Sequence, residues 1–468
     1  MNPPSEDGIR FTGAKLRWTT GQAALGLSSV AICLLGWKAL PLRQFALLSG
    51  AAAIVLFGGQ MGLRLSCVLL GLFRGLGVHV GPEEIAAHGG SWPMYTVLLP
   101  VFREPQVLNQ LLRAVDALDY PHDRLDVKLL LESNDPETAQ ALAAVARPAW
   151  LEIVPIPKGE PQTKPRACDC GLAKARGSYL VVFDAEDKPE PDQLKKAVVA
   201  FSKAGAETVC LQAKLNCYNT QVNWLTKLFT LEYTTWFDLY LPGLHAFGAP
   251  IPLGGSSNHF ITSRLLELGG WDPYNVTEDC DLGLRISRKG FVTRILDSTT
   301  WEEAPSRPID WFKQRTRWMK GYLQCFLVHS RGLAPWAELG PFGSLFFVLL
   351  TGGQVATLLL LPAMWALVGA WFVLKWPIAD PRLPWTYALF WLSVTLGLFN
   401  FIFVLIHVLG AQLRRLKGLE AYALLFPLYW FCISMATWRS LWQFVFDPFK
   451  WEKTPHGRGI VMADGCVS

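Results

Sequence analysis

The chain has 468 residues, 51% of them hydrophobic and 17% charged, with a formal net charge of +5 and a mean hydropathy of +0.25. A soluble chain carries about 25% charged residues, so an all-soluble protein is excluded and part of this one belongs in lipid. The charge excess forms no long basic run, so nucleic acid is not an expected partner, whereas membrane lipids with an anionic face are.

In chain order, the first residues include Glu6 and Asp7 and no early apolar core with a cleavage site, unlike a signal peptide. Two uncharged apolar stretches follow, at 21–36 and 45–63. Each is near the length that crosses ~30 Å of hydrocarbon at ~1.5 Å per residue. Lys38 and Arg43 mark the turn between them, and the second stretch runs past Arg64 towards Phe73 as a tilted or surface-running extension. Residues 1–75 thus read as an N-terminal membrane region with two spans.

Charge then returns. Short β-branched or leucine-rich runs at 95–101, 127–131, 151–155, 179–184 and 208–213 alternate with helical segments. That alternation predicts an α/β catalytic domain over 90–300 built on a mostly parallel sheet. Ligands bind such sheets outside the carboxyl ends of the strands, so chemistry is expected just after each run. Residues 223–241 and 310–326 combine aromatic and basic residues in a way that reads as interfacial amphipathic helices, aromatic side to lipid and basic side to phosphates. The second falls in a segment 301–335.

From Pro341 to Leu374 no residue is charged, more than one crossing requires, and Gly352, Gly353 and Pro362 are the places for a kink or split. Spans at 385–409 and 421–437 complete a C-terminal membrane region, 341–440, of three or four spans, before a tail at 441–468. The linker with Arg414, Arg415 and Lys417 is cytoplasmic by the positive-inside rule. The ten cysteines are scattered; Cys33, Cys67, Cys432 and Cys466 lie in apolar stretches or the tail. Cys168 and Cys170 form a C-x-C without a second pair, a poor zinc pattern, so reduced, packed thiols are expected.

Three clusters carry chemistry. The apolar run at 179–184 ends in Asp184-Ala185-Glu186-Asp187, so the alternate carboxylates of Asp184 and Glu186 can converge at the sheet edge. Like charges repel there unless a hard cation is shared, and Mg²⁺ or Mn²⁺ takes carboxylate and phosphate oxygens together. Downstream, Thr277-Glu278-Asp279 precedes a helix-like stretch. A sugar hydroxyl needs a base as its proton leaves, and Asp279 is the candidate. Third, Gln314-Arg315-Thr316-Arg317-Trp318 places residues 314, 317 and 318 on one helix face. There an amide, a forked cation for a diphosphate and a flat ring for a sugar would stand together.

With these motifs the chain resembles the family 2 glycosyltransferases, in particular the processive membrane-embedded branch of cellulose, hyaluronan and poly-N-acetylglucosamine synthases. The match runs in order through Leu99-Pro100-Val101-Phe102-Arg103-Glu104, Glu132-Ser133-Asn134-Asp135, Thr163-Lys164-Pro165-Arg166, Asp184–Asp187, Gly254–Ser257, Thr277–Asp279 and Gln314–Trp318. The tail Phe446-Asp447-Pro448-Phe449-Lys450-Trp451-Glu452-Lys453-Thr454 is similar to tails of bacterial exopolysaccharide synthases. The resemblance implies a GT-A-type, Rossmann-like catalytic domain between membrane helices. It implies that Asp184 and Glu186 hold Mg²⁺ or Mn²⁺ with the donor diphosphate, and that Glu104, Glu132, Asp135 and Lys164 surround the nucleoside end of the donor. Asp279 would be the base. Gln314, Arg317 and Trp318 would hold the diphosphate, and Gly255, Ser256, Glu278 and Trp318 the acceptor. Glu132 and Glu186 depart from the family, which has Asp at both places; each keeps the carboxylate with about one methylene more reach.

The implied activity is that of an inverting hexosyltransferase in a bacterial inner membrane, with its catalytic domain cytoplasmic. It would polymerise a UDP-sugar, UDP-glucose first and UDP-N-acetylglucosamine next, into a β-linked polysaccharide passed through its own channel, with accessory export subunits as further partners. Two other readings remain: a single-addition enzyme making a membrane glycolipid, and a silent binding module on the same fold. No built-in cyclic-nucleotide sensor is recognisable.

Overall fold

The computed structural model describes residues 13–75, 77–145, 148–374 and 384–453. Glu6, Asp7, Cys466 and the end of the tail lie outside them. The strands are β1 (Tyr95–Val101), β2 (Leu125–Glu132), β3 (Leu151–Ile156), β4 (Tyr179–Val182), β5 (Lys188–Pro189), β6 (Thr208–Cys217), β7 (Asn258–Ile261) and β8 (Val292–Glu302). They form one sheet in the order β3-β2-β1-β4-β7-β6-β8-β5. The pairs β1–β2, β2–β3, β1–β4 and β6–β8 are parallel; β7 runs antiparallel to β4 and β6, and β5 to β8. This is the mostly parallel GT-A-like sheet expected. Continuous apolar runs such as Tyr95–Leu99 are buried on both faces, as parallel strands covered by helices require.

Topology gathers one edge. β1, β2, β4, β6 and β8 all end there, and antiparallel β7 begins there, with Val182 of β4 opposite Asn258. The residues preceding β7, Gly254–Ser257, therefore arrive at the same edge as those following β1, β2, β4 and β8. β4 stops at Val182, so Asp184 belongs to the loop and is freed from the sheet.

Among the described residues, five helices are long and apolar enough to cross a membrane: 20–39, 47–74, 334–366, 385–413 and 420–446. They expose large apolar side chains such as Leu27, Val55, Trp391, Leu398 and Phe401, which water would disfavour and hydrocarbon would not. Leu42–Arg74 is one continuous helix through Arg64. A break at Gly340, whose φ is 65°, precedes the uncharged stretch. A π-helical turn at Leu349–Gly353 leads into Gln354–Leu374, which contains Pro362.

The helix Phe426–Phe446 has both ends against the catalytic half. Near its start Tyr429 Oη accepts a hydrogen bond from Trp311 Nε1 at 2.9 Å, and just past its end the Asp447 carbonyl accepts one from Lys320 Nζ at 3.3 Å. It lies along the helix Pro308–His329. The two segments expected at the membrane surface are partly buried by neighbouring helices, while Trp224 and Ile309 stay exposed. In Trp224–Thr234 and the π-helical turn Thr235–Tyr240, Leu228, Leu231 and Leu239 are core residues; in Pro308–His329, Trp311, Arg315 and Lys320 are buried too. The helices 42–74, 385–413 and 426–446 pack over these buried residues.

Candidate active site

A cavity of about 500 Å³ opens at the gathered edge. Glu104, Glu132, Lys164, Asp184, Glu186, Gly255, Ser256, Glu278, Asp279, Gln314, Arg317 and Trp318 all line it. Of the residues singled out from sequence, Asp135 alone is held away. Its carboxylate accepts from the Thr138 amide at 3.2 Å, capping the helix Pro136–Ala143, and from the Arg103 amide at 2.5 Å. That is an N-cap's work, and the residue does not line the cavity.

Lys164 ties the acidic motifs together. Its Nζ stands 2.5 Å from Asp184 Oδ1 and donates to the Gly255 carbonyl at 2.6 Å. Burial opposes its charge, but Asp184 and Glu278 hold its pKa above the ordinary value. Gly255 in turn lies against the base candidate: a Cβ there would meet Asp279 Oδ2 at 3.4 Å. The loop before Asp279 is clamped to the helix 308–329. Arg317 Nη1 donates to the Val276 carbonyl at 3.1 Å, the Val276 amide donates to Gln324 Oε1 at 3.0 Å, and Gly321 leaves room for Thr277. Burial raises the Asp279 pKa above its ordinary value, and burial followed by repulsion from Asp279 lifts Glu278 to about 8. Asp281 is structural, 2.8 Å from Arg285 and 2.9 Å from His329.

Burial first, then repulsion from Asp184, pushes the Glu186 pKa well up. Asp187, buried behind it, accepts from the Asp184 amide at 2.7 Å and from the Ser256 hydroxyl through Oδ2, while its buried Oδ1 has no hydrogen-bond partner. Among the described residues no three His, Cys, Asp or Glu side chains form a metal-holding group. The described side chains alone thus form no closed cage. A hard cation held by one or two carboxylates plus donor phosphates needs no such cage, and the partly exposed Asp184 beside the buried Glu186, which it repels, suits that arrangement.

Sequence reasoning missed several lining residues. Glu302 ends β8 and lines the cavity; burial and then Asp187 drive its pKa up. The acid-after-strand rule that found Asp184 would have found it. Trp451 and Lys453 line the cavity from the tail: Lys453 Nζ pairs with Glu104 at 2.9 Å, and Arg317 stacks over Trp451 at 4.6 Å. Buried Lys320 anchors that tail by donating to the carbonyls of Asp447 and Lys450. The cavity also continues between the apolar helices, where Arg64, Gln354, Leu358, Phe403 and His407 line it.

The chain is similar to several known proteins. The chain is 28% identical over 236 residues to "Probable glycosyltransferase YdaM" of Bacillus subtilis, covering 49% of this chain and 55% of that one. It is 26% identical over 284 residues to glucomannan 4-beta-mannosyltransferase 2 of Arabidopsis thaliana, covering 57% and 52%. The chain thus spans about half the length of the curated relatives it matches. Among solved structures, the mannosyltransferase PcManGT from Pyrobaculum calidifontis, in complex with GDP-Man and Mn2+, superposes with a TM-score of 0.54 at 19% identity, over 85% of this chain and 99% of that one. That likeness is one of fold. The sequence profile described as glycosyl transferase family group 2 matches residues 179–446, more than half of the chain, from the strand before Asp184 to the last apolar helix, and the chain belongs to that family.

Proposed function

We propose that this glycosyltransferase moves a hexose from a nucleoside diphosphate sugar to a carbohydrate acceptor with inversion, extending a β-linked polysaccharide. The observation that carries the reading is one continuous cavity. It runs from the acids at the sheet edge, past Trp318, to the space between the apolar helices.

Asp184 and Glu186 would hold a Mg²⁺ or Mn²⁺ ion, which when bound neutralises charge on the departing diphosphate. Glu104 and Glu132 border the nucleoside end, and Lys164 and Arg317 supply cations for the phosphates. Asp279 takes the proton from the attacking acceptor hydroxyl, a role favoured by a carboxyl whose pKa is raised towards neutrality. Trp318 gives the acceptor ring a flat support, and Glu278, Gly255 and Ser256 border the same space. Gln314 Oε1, buried with no hydrogen-bond partner in the described structure, is available to a sugar hydroxyl.

The ion pair of Arg414 with Asp238, 3.0 Å in one of its contacts, puts the basic linker on the catalytic side. The positive-inside rule then makes that side cytoplasmic in a bacterial inner membrane. With both ends of 426–446 on that side, four helices cross and the fifth lies along the surface. A second reading, single addition to a membrane glycolipid, is favoured by the apolar far wall at Leu358, Leu361, Phe403, Ile406 and Ile433.

The test is diphosphate release by purified full-length protein from a panel of UDP- and GDP-sugars with Mg²⁺ or Mn²⁺. Product size and digestion by linkage-specific hydrolases then follow. Polymer supports extension; one extractable glycolipid supports the second reading. Chelation is expected to abolish release. Asp279→Asn is expected to lower turnover by about 10²–10⁴-fold, the usual reach of a general base, with donor binding retained. Normal turnover in Asp279→Asn would sink the mechanism.

A further inference from the structure

Arg64 sits inside the apolar helix Leu42–Arg74, in the stretch long enough to cross a membrane. A cation in such a place is costly and signals function. Its Nη2 donates to Gln354 Oε1 at 2.5 Å, from the helix across the cavity, and among the described residues no carboxylate pairs with it. Gln354 is neutral, so the charge is left for something else, and both residues face the cavity.

The surroundings narrow the choice. Three residues on, Cys67 touches the 241–246 helix so closely that a Cβ on Gly243 would meet the Cys67 carbonyl oxygen at 1.9 Å, and Val68 packs on Leu239. These partners belong to the layer on which the catalytic domain rests. Arg64 stands about one helical turn, ~5 Å, further along the helix from that contact. From there the wall turns apolar, with Met61, Phe403, Ile406 and Leu361. A phosphate head with a hydrocarbon chain matches a cation bordered by such a wall; a neutral sugar chain leaves the cation without a counter-charge.

We propose that Arg64, held by Gln354, binds the phosphate of a lipid-phosphate-linked acceptor, whose chain lies along the apolar wall while its sugar end reaches towards Trp318 and Asp279. This rests on the reading that the cavity takes the acceptor, and names that acceptor's class.

The test uses full-length protein in phosphatidylcholine nanodiscs, with retention of a polyprenyl phosphate, the matching uncharged polyprenol and a soluble glucuronate oligosaccharide measured by native mass spectrometry. The expected result is selective retention of the polyprenyl phosphate. Arg64→Gln, whose amide can still meet Gln354, should weaken retention roughly tenfold or more, as loss of a charge-assisted bond implies, and Arg64→Lys should keep most of it. Equal retention of phosphate and alcohol by the native protein, undiminished binding in folded Arg64→Gln, or preference for the glucuronate oligosaccharide would each overturn the proposal. The native-protein comparison decides even where a variant fails to fold. Lipid retention without diphosphate release from any sugar nucleotide would sink the enzymatic reading and leave the lipid site standing.

Discussion

At the scale of single residues, the side chain that most changes meaning between sequence and structure is Arg315. In the sequence it is one base among several on an amphipathic helix. In the fold it is 3% exposed, forked onto Glu232 at 2.9 and 2.5 Å, and stacked 4.3 Å from the Trp318 ring. Tyr429 also contacts it, at 3.2 Å. The pair thus joins three helices directly under the ring assigned to the acceptor. Removing one partner from a buried pair costs about 3–5 kcal/mol, whereas replacing both by apolar side chains is often neutral. Arg315→Met should therefore lower the melting temperature in detergent sharply, and Arg315→Met with Glu232→Met should recover most of the loss. Arg315→Lys keeps the charge but not the fork; it should raise the acceptor KM more than it lowers kcat, because Trp318 loses its support. Additive losses in the double variant would show that the two residues do not act as a pair.

At the scale of elements, contact between membrane helix and catalytic domain depends on glycine. A Cβ on Gly243 would meet the Cys67 carbonyl oxygen at 1.9 Å, and one on Gly71 would meet that of Leu239 at 2.9 Å, both backbone atoms that cannot swing aside. Gly62, on the same membrane helix, would meet nothing within 4 Å. Gly243→Ala is expected to cost about 1–3 kcal/mol or more by overpacking, and Gly62→Ala nearly nothing, as read by thermal unfolding in one detergent. Equal shifts would argue that the close approach is not needed. The contrast also marks how far the sequence could be read. Strands were legible because unbroken apolar runs fit only a sheet covered on both faces, and acids after them mark its edge, which led to Asp184 and Glu186; Asp279, in the first turn of a helix, joins them in one cavity. Asp135 follows a strand in the same way yet caps a helix, a difference that hydrogen-bond geometry alone decides. Residues 223–241 and 310–326 have the pattern of lipid-facing helices, but periodicity cannot say whether lipid or another helix covers the apolar side. The tail's Lys453 comes to the site only through folding from far along the chain.

At the scale of the whole molecule, acid should loosen the fold through buried groups that do not line the cavity. His259 of β7 is buried against Tyr95, whose hydroxyl lies 2.7 Å from Nδ1, and Gln193, 3.2 Å from Nε2; Phe183 is the ring beside it. Neither polar partner is anionic, since burial keeps the Tyr95 phenol protonated, and burial depresses the His259 pKa to about 3. Burial also lowers that of His329, against the pull of Asp281. For these bases the unfolded chain takes up a proton near pH 6.5 that the folded chain refuses, so stability is full above that pH and falls below it. One such histidine contributes a loss of about 2 kcal/mol between pH 6.5 and 5. Asp281 acts lower: burial opposes its charge, but Arg285 and His329 hold its folded pKa at about 2, so its contribution is present above the unfolded value near ~4 and lost as pH falls towards 2. Glu278, held at about 8, pulls the other way as pH falls, so these contributions are read as differences in melting temperature from variants lacking the group: a decline below pH 6.5 for His259 and a second below pH 4 for Asp281. His259→Gln, which keeps a polar group without a titrating ring, should flatten the first decline and leave the second; an unchanged slope between pH 6.5 and 5 would show that His259 is not the group refusing the proton.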